Sequence, residues 1–149
     1  MMDLTLWRDY LKQLDRLADT LEKLTEVERE KAQAVGRGDL DAVDACMKRE
    51  QAFSLNLRGF DQKRVKMLAQ LGIPDTTLRQ LEDHAPPEAV PETKRAVEKV
   101  LQRYQVFQSA SEVARTALEC NLHEIDRLQL LKELHNEATP EARQADFRA

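Results

Sequence analysis

Glycine and aromatic side chains are scarce in this chain of 149 residues, which holds four glycines, one tryptophan, two tyrosines and four phenylalanines. Catalytic and phosphate-binding loops lean on glycine for their tight turns, and no glycine-rich turn follows a strand-like run here, so phosphate-loop and nucleophile-elbow chemistry find no support. Charge of one sign is lacking too: 23 basic residues stand against 27 acidic ones, interleaved, for a net charge of −4. Such a balance offers no basic field for nucleic acid or an anionic membrane, which points to a protein partner. Long apolar runs are absent. Asp3, Arg8 and Asp9 break up the N-terminal stretch, and no segment approaches the roughly 20 apolar residues needed to span a bilayer. No membrane insertion is expected, and the cytoplasm is the expected location. Cys46 and Cys120 form no spacing motif and read as small buried hydrophobes.

What the chain does have is apolar residues at 3-4 spacing through three long segments. The first run is Leu4, Trp7, Leu11, Leu14, Ala18, Leu21; the second is Val43, Cys46, Phe53, Leu57, Phe60, Leu68, Leu71; the third is Val97, Leu101, Tyr104, Phe107, Leu118, Ile125. Each set falls on one face of a helix. The expected fold is all-α: one domain, an elongated antiparallel bundle of three long helices with one short helix between the second and third.

Glycine and proline punctuate the bundle. The first helix is expected from about Leu4 to Val35, ending at Gly36-Arg37-Gly38, with Gly38 taking a left-handed turn and Asp39 capping the next helix. The second runs to Leu71, where Gly72-Ile73-Pro74 stops it. Asp75 is expected to cap a short helix through about Asp83, and the third long helix to run from near Pro91-Glu92 to about His135. The tail from 136 to 149 lacks an apolar period and is expected to fray. A second stripe on the third helix (Val106, Ala110, Val113, Ala117, Cys120) suggests packing against both other helices at once, or a surface open to a partner.

Two charges interrupt the second stripe. In an antiparallel hairpin Arg64 falls opposite Tyr10, and Glu50 opposite Leu24 and Thr25. Glu50 is expected at the seam's edge with its head in water; Arg64 either does the same or holds a buried network that fixes register. No cofactor or metal is expected: Cys120 and His123 stand at i and i+3, but no second Cys/His pair completes a zinc set, and no Glu-x-x-His pair for a di-iron bundle occurs. No catalytic constellation emerges, so an enzyme is not expected. The cluster Arg58, Lys63, Arg64, Lys66 has acidic neighbours and no aromatic stacking platform, and reads as a solvated flank.

The second helix carries something more specific. Gly38-Asp39-Leu40-Asp41-Ala42-Val43, then Lys48-Arg49-Glu50 with Phe53, then Phe60, Arg64 with Met67-Leu68, and a close at Leu71-Gly72-Ile73 resemble the FlgN family of flagellar export chaperones, over nearly the whole chain. The pattern departs from the family's Asn-x-x-Asn pair in the last helix, where Ser111 and Ala114 stand, with Asn121 further on. The resemblance implies a cytoplasmic, non-enzymatic chaperone that binds the hook-filament junction proteins FlgK and FlgL, masks their C-terminal helices and delivers them to the flagellar export apparatus. The family's substrate contact lies in the C-terminal part, which here matches Leu118, Leu122, Ile125, Leu128, Leu131 and Leu134. Helix lengths suggest that about a dozen residues of the third helix overhang the bundle. Homodimerisation of a structural coiled-coil subunit with no client is the competing expectation.

Overall fold

The computed structural model describes residues 3–138 of the chain; the side chains of Ile125 and of 136–138 lie outside the described set, as do 1–2 and 139–149. Three α-helices follow one another: α1 (Leu4–Arg37), α2 (Leu40–Gln70) and α3 (Val90–Ala138). Two 3-10 turns, Leu81–His84 and Pro87–Ala89, lie between α2 and α3. There is no strand among the described residues. At 34, 31 and 49 residues the helices measure about 50, 45 and 75 Å. α3 continues three residues past the expected end at His135, into the stretch expected to fray; the rest of that tail lies outside the described residues.

The helix ends are set by local chemistry. Asp3 caps α1, its Oδ1 accepting from the amides of Thr5 (3.0 Å) and Leu6 (3.2 Å). Gly38 closes α1 at φ 69°, left-handed backbone that glycine adopts without steric cost, while its N–H and that of Asp39 satisfy the last carbonyls of the helix. The Asp39 carboxylate then accepts from the Ala42 amide at 3.1 Å, and the hairpin turns within two residues. Gly72, at φ 76°, ends α2 in the same way.

The expected cap at Asp75 is not formed. Asp75 sits at φ 61°, and Thr77 and Gln80 bond each other's amides instead, holding a turn rather than a helix. The single helical piece left in that stretch is the 3-10 turn at Leu81, whose side chain is buried in the main core. With two apolar residues three apart and prolines close behind, the segment is too short to nucleate an α-helix.

Packing places α1 at the centre. α1 runs antiparallel to α2 and parallel to α3, in an up-down-up order, with α2 and α3 both packed on α1 rather than on each other. The parallel register with α3 is fixed by cross-links at successive levels: Trp7 to Thr93, Asp15 to Lys99, and Glu22 to Arg103. The main core joins Trp7, Leu11, Leu14, Ala18 and Leu21 of α1 to Ala96, Val97 and Val100 of α3, with Leu68, Leu71 and Leu81 at one end. A smaller cluster of Ala34, Val35 and Val43 closes the hairpin end, where Ala117 and Leu118 of α3 rest against it.

The second stripe of α3 does not become a packed face. Ala110 is buried, but Val113 and Cys120 are exposed and Val106 nearly half so; the most buried residue of this region is Ala114, which lies on neither expected stripe. One side of α3 therefore carries its burial, because α2 packs chiefly on α1 and meets α3 only at the two ends of the bundle. The same arrangement leaves Phe53, Leu57 and Phe60 of α2 only half-buried, while Cys120, expected inside, is out in solvent because it lies past the hairpin end.

Candidate functional site: the α3 extension and the α1/α2 seam

Beyond Leu118 the bundle has nothing left to offer α3. α1 and α2 meet at Gly38, level with Ala117 and Leu118, so roughly 20 residues of α3, about 30 Å, project past the hairpin, well over the dozen expected. The difference arises because α3 starts at Val90 beside Trp7 and rises in step with α1, so its excess length accumulates at one end. Leu122, Leu128, Leu131 and Leu134 on this extension are 52–60% exposed, and Leu130 joins them at 56%. Leu118 differs: it is half-buried against the hairpin-end cluster and belongs to the bundle. The Ile125 side chain lies outside the described residues.

These leucines do not form one stripe. At 100° per residue Leu122 and Leu131 stand about 180° apart, while Leu128, Leu131 and Leu134, each three residues on, step back around the helix by about 60° at a time. Leu130, which the 3-4 pattern does not single out, lies between Leu134 and the polar side. The extension thus bears apolar surface on two sides, and a helix apolar on both sides needs cover from more than one direction.

The α1/α2 seam contains the charges that interrupted its stripe. Glu50 does not keep its head in water, as a place at the seam's edge would allow; it reaches Lys31, whose ammonium also lies 3.1 Å from Glu28. Glu28 Oε2 and Glu50 Oε1 are buried and have no hydrogen-bond partner apart from that ammonium. Burial pushes the Glu28 carboxyl up from its ordinary value, an effect that Lys31 opposes and Glu50 reinforces. Burial pulls the Lys31 pKa down, but the two carboxylates more than offset it, and the net direction is up. Nothing in the 3-4 pattern marked Glu28 or Lys31, since neither is apolar and neither belongs to the stripe of α1; the one signal was Glu50 standing in an apolar position.

Arg64 does lie opposite Tyr10, as the antiparallel register requires. Its guanidinium donates to the Thr76 carbonyl at 3.1 Å and lies 3.8 Å from Asp61, tying α2 to the turn that follows it. The side chain is 38% exposed, between the two expected extremes. Burial raises the Tyr10 pKa, and the adjacent Arg64 counters part of that rise. Beside the pair lies a slot of about 140 Å³ lined by Tyr10, Leu14, Leu17, Leu57, Phe60 and Arg64.

Among the described residues no group of three His, Cys, Asp or Glu side chains is placed to hold a metal, and no helix is long and apolar enough to cross a membrane. What the arrangement presents is apolar surface on an unsupported helix, left uncovered by the described residues. A family model described as "FlgN protein" matches residues 2–143, nearly the whole chain, and the chain belongs to the FlgN family. The family is one of flagellar export chaperones, not enzymes, and binding of flagellar proteins is its common trait. No curated protein and no solved structure shows a significant match.

Proposed function

We propose that this chain is a cytoplasmic chaperone that binds hook-filament junction proteins of the FlgK/FlgL kind through their C-terminal helices, keeps them from assembling early and delivers them to the flagellar export apparatus. The observation that carries the reading is the α3 extension, four of whose expected contact leucines stand half or more exposed off the end of a finished bundle. A monomer has no reason of its own to place leucines where nothing covers them. An assembly helix of an exported subunit is amphipathic, and an apolar surface on a projecting helix covers such a segment without nucleotide hydrolysis. Leu122 and Leu131 face opposite ways, so a client that covers both wraps the extension instead of lying along one side of it. Leu118 contributes by anchoring the root of the extension, and Ile125 is proposed as a contact on its sequence position.

The test is Leu128→Glu with Leu131→Glu, titrated calorimetrically with the C-terminal helix of a FlgK-like or FlgL-like protein. Client binding is expected to be lost with the melting temperature nearly unchanged, because neither leucine touches the bundle. Undiminished affinity, or collapse of the fold, would place the client surface elsewhere.

A further inference from the structure

The extension's leucines have a counterpart on the same molecule. The 140 Å³ slot between α1 and α2 is open on one side and apolar within, large enough for one leucine or phenylalanine side chain; a cavity of similar size in another protein holds benzene. The surface continues along the seam past Gln13, Arg16, Thr20, Asn56, Gly59 and Lys63. Gly59 sits in mid-helix, where glycine costs about 1 kcal/mol relative to alanine, yet a Cβ there would meet nothing within 4 Å. Its backbone forms a flat spot at which another helix can approach closely. Arg16 and Lys63 flank that spot, are exposed, and take part in no ion pair among the described residues; with Arg64 at the slot's rim against Asp61, the surface is positive on an acidic chain.

The α3 extension is its opposite. Between 119 and 135 it carries Glu119, Glu124, Asp126 and Glu133 against Arg127 and Lys132, and Glu124 already holds Arg127 at 2.9 Å. Asp126 and Glu133 lie within about 100° of Leu130 and Leu134 around the helix, so carboxylates border the leucines. We propose that the α1/α2 slot receives a leucine of the α3 extension of a second copy of this chain, with Asp126 and Glu133 facing Arg16 and Lys63, so that two copies cover each other's leucines while no client is bound.

The extension cannot fold back onto its own slot. The slot lies at the level of Tyr10 to Thr20, roughly 30 Å below the hairpin turn, whereas the extension leads away above it. A two-fold axis between antiparallel copies brings each extension to the other's slot, and the contact is closed and reciprocal. The proposal rests on the reading above in one respect, that the extension leucines are free of their own bundle; it concerns the protein before a client arrives.

Sedimentation of the full chain alone, over a dilution series, tests it. Wild type is expected to be a dimer that dissociates on dilution and weakens with salt. Arg16→Glu with Lys63→Glu, and separately Gly59→Trp, are expected to raise the dimer Kd about tenfold or more at an unchanged melting temperature. The two variants act by different chemistry, so misfolding of one leaves the other readable. Mixing the Arg16→Glu/Lys63→Glu protein with an Asp126→Lys/Glu133→Lys protein is expected to restore a heterodimer, since every slot then meets an extension of opposite charge. A wild type that is monomeric at all concentrations, or a dimer indifferent to both slot variants, overturns the proposal. Client titration on the slot variants reads the chaperone role separately, because these variants keep every extension leucine.

Discussion

Lys31 holds the buried oxygens of two carboxylates, Glu28 Oε2 and Glu50 Oε1. With those two oxygens lacking other partners, replacing Lys31 by methionine leaves two like charges facing each other in the α1/α2 seam. Breaking a fully buried pair typically costs 3–5 kcal/mol, and Glu50's residual exposure brings the expectation for Lys31→Met to roughly 2–3 kcal/mol. Chemical unfolding checks this, and adding Glu28→Gln and Glu50→Gln to the same variant is expected to recover most of the loss. The pH dependence has a definite sign. A carboxyl whose pKa is raised by folding favours the folded state below its ordinary range, and that favour is lost as pH rises through the folded value. Glu28→Gln removes the ionising group, so its stability relative to wild type should climb from acid toward neutral pH. Lys31, raised as well, stabilises throughout that window and loses its contribution only in strong alkali, above the ordinary lysine value.

At the scale of elements, the start of α3 is docked by one polar contact inside an apolar core. Thr93 Oγ1 accepts from the Trp7 indole N–H at 2.9 Å and donates to the Ala89 carbonyl at 2.7 Å, with Trp7 and Thr93 both fully buried. Thr93→Val keeps the shape but strands the indole N–H, at an expected cost of about 1–3 kcal/mol, whereas Thr93→Ser should cost less than half as much; thermal melts of the pair separate lost bonding from lost packing. This contact shows where legibility in the sequence ended. The three long helices, the turn at Gly38-Asp39, the stop at Gly72 and the Tyr10–Arg64 level followed from 3.6-residue periodicity and from glycine, both of which act locally. Which helix sits in the middle did not follow, because periodicity marks an apolar face without naming what covers it. Val113 and Val106 of α3 therefore read either as a face packed on both other helices or as one open to a partner, and Phe53 and Phe60 of α2 as core, until the central place of α1 left each half open. Lys31 and Thr93, polar residues buried for their partners' sake, carry no periodic signal at all. Glu28 belongs with them.

At the scale of the whole molecule, the order up-down-up with α3 in step with α1 divides the chain into a bundle and a projection with different physical roles. The bundle ends where Ala117 and Leu118 meet Ala34, Val35 and Val43, and every described side chain beyond that level except Asn121 is exposed. A helix held only at its root gains no tertiary stabilisation along its length, and isolated helices of this size are marginal in water, so the projection's order depends on what it binds. Truncation after Cys120 should accordingly leave the melting temperature within a few degrees of the full chain, because almost none of the buried apolar surface is lost. Moving the truncation back to Ala110 should lower it sharply, since Ala114, Ala117 and Leu118 then leave the hairpin end uncovered. If the two truncations melted alike, the hairpin-end cluster would be contributing nothing. If the longer one melted far below the full chain, the extension would be part of the folding unit, and its leucines would have to be counted as core and not as binding surface.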